Sequence, residues 1–145
     1  MTTSWYVGYL LYNCSDIRDS IINYDLENDT IDIDLYDDVY SDLLSVEMII
    51  SSLKRMSLLT ENEKDIINYL KDRMSMAAIA NKMSLNIKTV MSIFNKLCTK
   101  IALILGENFT NDGFLDYMLE KYNITDQNIE DRLAKLIFRR ESNER

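Results

Sequence analysis

The 145-residue chain contains no proline, and its only glycines are Gly8, Gly106 and Gly113. These two residue types are the strongest local punctuators of turns, so a chain nearly without them should be dominated by helices. Hydrophobic residues make up 47% of the sequence, enough apolar material to offset chain entropy despite a formal charge of −8. The length suits one domain, or a small domain with helical extensions.

Apolar spacing locates the helices. Tyr6, Leu10, Cys14, Ile17 and Ile21 recur at intervals of three and four and predict a helix from about Trp5 to Tyr24. From Asp25 to Asp38, apolar and acidic residues alternate through Thr30, Ile31, Asp32, Ile33 and Asp34. That pattern permits a short strand, and we read it as a linker. A second helix is expected from about Tyr36 to Met56, with Leu43, Val46, Ile50 and Leu53 on one side. Toward the C-terminus, FTNDGFLDYMLEKY predicts a short helix entered near Asn111. TDQNIEDRLAKLIFRR predicts another, capped by Thr125, with Ile129, Leu133, Leu136 and Ile137 as its stripe and Arg139 and Arg140 at its negative end.

Several chemistries are disfavoured. Histidine is absent, which removes the commonest general base and metal ligand. Cys14 and Cys98 are too far apart for a paired structural zinc site and too few for a disulfide framework; both are expected as small buried apolar residues in a reducing cytosol. Adjacent carboxylates such as Asp37 and Asp38 point apart on a helix. We therefore expect no enzyme, no metal and no cofactor. The apolar run at the N-terminus has no basic residue before it and no small-residue cleavage site after it, so no signal peptide is expected. No stretch is long and apolar enough to span a membrane, and a cytoplasmic protein is the expectation.

The net acidity conceals a partition. Residues 1–53 hold eleven Asp and Glu against Arg18 alone, whereas residues 54–105 hold nine Lys and Arg against four acids. A basic island attracts phosphates, although the same lysines equally suit the solvated faces of ordinary helices.

Several local rules agree within that island. Thr60 followed by Glu63 is a capping box that should start a helix with Ile66, Ile67 and Leu70 on its inner face and a polar break at Asp72 and Arg73. Ser75 can cap a short helix, MAAIANK, whose Ala77, Ala78 and Ala80 allow close approach and whose Ile79 is the inward anchor. A turn at Met83 to Asn86 follows, and Asn86 caps a third helix. There Val90, Phe94, Leu97, Ile101 and Leu105 fall on one face, while Ile87, Lys88, Met91, Ser92, Asn95 and Lys96 are left outside. Gly106 fits the left-handed position past a helix end.

This segment resembles the helix-turn-helix of sigma-factor region four and of LuxR-type regulators. The likeness covers about a third of the chain. It rests on Leu59 and Thr60, on Ile79 and Ala80, on the turn from Met83 to Asn86, and on Thr89 and Val90. Where the family usually has a turn glycine, this chain has Ser84. An acidic helix ahead of such a unit is also similar to phage late-gene activators of the ArpU and RinA type.

The resemblance implies an all-α fold with a tri-helical core over 58–106, an acidic helical region over 1–57 and a helical extension over 107–145. It implies a transcription regulator, phage or mobile-element encoded, whose helix 86–105 reads the major groove of double-stranded DNA while the helix from Thr60 to Met74 supports it. Lys82, Lys88, Lys96 and Lys100 are then the phosphate candidates, and Ile87, Lys88, Met91, Ser92 and Asn95 lie nearest base edges. The reader face has no arginine and offers lysine, asparagine and serine, so the expectation is either weak specific readout or adenine recognition through Asn95. The flanking helices would supply a homodimer contact or a surface for RNA polymerase. The rival reading keeps the fold but uses acidic segments, with Tyr36 and Tyr40 as aromatic anchors, to bind a basic protein.

Overall fold

The computed structural model describes residues 2–19 and 33–121. Helices account for the regular structure: α1 is Thr3–Tyr12, α2 is helical over 14–19, α3 is Ile33–Arg55, α4 is Glu61–Lys71, α5 is Met76–Met83, α6 is Ile87–Leu105 and α7 is Asp112–Lys121. No strand occurs among the described residues, and no helix there is long and apolar enough to cross a membrane. Ile21, most of the expected linker and the helix expected from Thr125 lie outside the described residues, as does the side chain of Tyr36.

Two boundaries differ from those read in the sequence. The first helix is interrupted at Asn13, whose side-chain amide donates to the Tyr9 carbonyl at 3.0 Å. Polar asparagine competes for backbone acceptors in this way, and the helix resumes one residue later. The third helix is already formed at Ile33, ahead of the expected Tyr36, so the last residues of the expected linker are helical.

One buried cluster runs through the described helices. Helix α6 lies at its centre, with α1, α3, α4 and α5 all packed against it. Its Val90, Phe94, Leu97 and Ile101 are at most 2% exposed. Helix α1 covers α6 because it is apolar nearly all round: beyond the expected Tyr6 and Leu10, Val7, Leu11 and Tyr12 are also buried. Helix α3 contributes Val39, Leu43, Val46, Ile50 and Leu53; Tyr40 is half-buried against the same core. Helix α7 docks through Phe114, whose ring lies 5.1 Å from that of Tyr9 on α1. Asn111 caps it, accepting from the Phe114 amide at 3.0 Å. Cys14 and Cys98 are free and buried.

Polar contacts orient the N-terminal helices. The Tyr6 hydroxyl donates to Asp42, and burial followed by that carboxylate pushes the phenol pKa up. Arg18 pairs with Glu47 on α3. Thr3 donates to the Gly106 carbonyl at 2.9 Å, fixing the start of α1 to the end of α6.

Candidate nucleic-acid interface

Helix α4 begins with the capping box expected from the sequence: the Glu63 amide donates to the Thr60 hydroxyl at 3.1 Å, and the Thr60 amide donates to the Glu63 carboxylate at 2.9 Å. That carboxylate has a second task. Lys100 on α6 donates to both of its oxygens, at 2.9 and 3.0 Å, and to the Leu58 carbonyl at 3.1 Å. Burial alone would raise the Glu63 pKa, but the Thr60 amide and the Lys100 ammonium outweigh it and hold the carboxyl below its ordinary value. The helix cap thus ties α4 to α6.

Helix α5 is capped by buried Ser75, which accepts from the Ala78 amide at 3.1 Å. Ile79 points inward as expected. Of the three alanines only Ala80 is buried, and Met76, fully buried, supplies contact that the alanine pattern does not reveal.

The turn into α6 uses left-handed backbone at Ser84 (φ 56°, ψ 41°), with the Leu85 amide donating to the Ala80 carbonyl at 3.0 Å. The same stop recurs twice. Ser57 (φ 58°) is followed by a bond from Leu58 to Leu53 at 2.9 Å, and Arg73 (φ 60°) by one from Met74 to Tyr69 at 3.2 Å. Each has the 6→1 pattern of a Schellman motif, which normally places glycine at the left-handed residue and an apolar side chain next to it. Here the apolar neighbour is kept and the glycine is not.

Asn86 then caps α6, accepting from the Lys88 amide at 2.8 Å. Of the eight residues singled out in the sequence, Lys82, Ile87, Lys88, Ser92, Asn95 and Lys96 are exposed. Met91 is half-buried against the core. Lys100 is half-buried and its ammonium is held between Glu63 and Leu58. Asn81 and Thr89, which the apolar periodicity does not single out, are also exposed on α5 and in the first turn of α6. Toward the other end of α6, the Thr99 and Ser4 hydroxyls lie 3.5 Å apart, so the start of α1 flanks the helix there. The freely presented polar stretch is therefore the first half of α6 together with the end of α5.

That stretch has one electrostatic sign. No Asp or Glu occurs between Asp72 and Glu107, although the chain carries 24 of them. Lys82, Lys88 and Lys96 have no ion pair among the described residues, whereas Arg73, just before α5, is paired with Asp16 at 2.9 Å and with Asp19. Sequence comparison adds no relative: no family model, no curated protein and no solved structure matches the chain. Among the described residues no cluster of His, Cys, Asp and Glu could hold a metal ion.

Proposed function

We propose that the chain is a DNA-binding transcription regulator that places the first half of α6 in the major groove, with α4 behind it as support. The observation that carries this reading is the acid-free run from Arg73 to Gly106, in which Lys82, Lys88, Lys96, Asn81, Ser92 and Asn95 are all exposed. Ammonium groups suit phosphate and side-chain amides suit base edges, so the surface has both elements that duplex recognition needs. A homodimer and a contact with RNA polymerase belong to the same proposal. Leu103 and Ile104, 80% and 53% exposed, are the apolar surface on α6 that such a partner would cover.

The test is the salt dependence of binding to random duplex, measured by fluorescence anisotropy. Lys88→Ala combined with Lys96→Ala removes two phosphate contacts, so the slope of log affinity against log salt should flatten by about 1.8 units. Both side chains are exposed, so stability should change by no more than about 0.5 kcal/mol. Unchanged affinity and slope in a folded double variant would reject the DNA reading in favour of a protein partner.

A further inference from the structure

Between α1, α3 and α4 the surface closes into a groove of about 100 Å3. Its floor is Leu11, Ile50, Ile67 and Leu70, each no more than 5% exposed, with Cys14 beside them. Burial pushes the Cys14 thiol pKa up, so the sulfur is a neutral, soft wall at ordinary pH. A concave apolar floor with a few polar groups at its edge is the usual form of a small-molecule site. A closed apolar cavity of about 150 Å3 holds benzene. This groove is smaller but open on one side, so it takes part of such a ring, with the rest of the molecule and its polar end at the mouth.

The charges at the mouth select the polar end. Lys54 from the last turn of α3 and Lys71 from the last turn of α4 both line it, both are exposed, and neither has an ion pair among the described residues. Glu47 is the one carboxylate in the lining, and Arg18 already holds it. Among the described residues, the lining therefore carries two lysines without an ion pair and one carboxylate that already has one.

We propose that this groove binds a small organic carboxylate whose apolar body lies on Ile50, Ile67 and Leu70 and whose carboxylate accepts from Lys54 and Lys71. The site is separate from the α5–α6 surface and stands independently of DNA binding. It joins the N-terminal helices to α4, so an occupant would brace the seam between them.

Titration of the full chain with para-fluorobenzoate, followed by fluorine NMR and calorimetry, tests this, with para-fluorobenzamide as the neutral counterpart. Saturable binding of the acid is expected, with the amide weaker by about tenfold and Lys54→Gln with Lys71→Gln weakening the acid by about the same factor. Ser51→Trp, at an exposed position on the rim, should fill the mouth and abolish binding with the melting temperature unchanged. Three results would each overturn the proposal: no saturable binding at millimolar acid by a cooperatively melting protein, equal binding of acid and amide, or full binding by the folded Ser51→Trp variant. Should the tryptophan variant fail to fold, the lysine pair decides in its place, and undiminished acid binding by that folded double variant would equally overturn the proposal.

Discussion

Replacing Ser84 and Ser57 by glycine should stabilise this protein, which is the reverse of what the same change does inside a helix. Both serines sit in left-handed backbone, at φ 56° and 58°. That conformation costs an L-residue roughly 1 to 2 kcal/mol through its Cβ. Glycine removes this term but loses more backbone freedom on folding, an opposing cost of about 0.5 to 1 kcal/mol. The midpoints of the two ranges differ by a gain of about 0.75 kcal/mol per site. The two turns end different helices and share no hydrogen-bond partner, so the effects should add to about 1.5 kcal/mol. Urea unfolding measures this as a higher midpoint with an unchanged slope. Ser92→Gly is the control: Ser92 is exposed within α6, and the same chemical change there should cost about 0.5 kcal/mol of helix propensity. If Ser84→Gly destabilised the protein as Ser92→Gly does, the left-handed stop between α5 and α6 would be the wrong account of that turn.

Phe94→Ala, removing a ring that is 2% exposed, should destabilise by about 3 to 5 kcal/mol in the same assay, and a loss below about 1 kcal/mol would mean that the inner face of α6 is misassigned. Lys100→Met leaves the buried Glu63 carboxylate with only its cap and should cost about 1 to 2 kcal/mol at neutral pH. Because the Glu63 pKa is lowered on folding, its contribution is complete above the unfolded value of about 4.3 and fades as pH falls through the folded value, so the gap between wild type and variant should narrow in that acid window. A gap independent of pH would show that the pair acts through packing alone.

Four helix starts were legible in the sequence because each is written in a side chain that reaches a nearby amide. Thr60 with Glu63, Ser75, Asn86 and Asn111 all cap where their chemistry puts them. Helix ends were less legible. The usual signal is glycine, and here three ends are closed by Ser57, Arg73 and Ser84. What does mark them is the apolar residue that follows, Leu58, Met74 or Leu85, a pattern too common to stand out alone. Gly106 is a different stop from the one expected: φ 93° with ψ 162° lies outside the left-handed helical region, in a conformation nearly confined to glycine. The second inner stripe of α1 was missed because Val7, Leu11 and Tyr12 do not continue the Tyr6–Leu10 spacing, and only a helix buried on several sides uses both sets. The role of Lys100 was also invisible, since the sequence places it in the basic island but not opposite Glu63, 37 residues earlier.

The charge partition acquires a physical meaning once the helices are packed together. Taken along the chain, the acidic N-terminal segment is a field that would repel any phosphate brought to α6. In the fold, several of its carboxylates are committed inward or to neighbouring elements: Asp42 accepts from Tyr6, Glu47 pairs with Arg18, and Asp16 and Asp19 hold Arg73. These contacts attach the N-terminal helices to α3 and to the stop between α4 and α5, while α1 runs along α6 to its end at Gly106. The first half of α6 is left with lysines, amides and hydroxyls and no carboxylate of its own. An acidic chain can therefore carry a locally cationic surface because its carboxylates help to build the scaffold on which that surface is displayed. Charge averaged over the whole chain is then a poor guide to what this one face attracts.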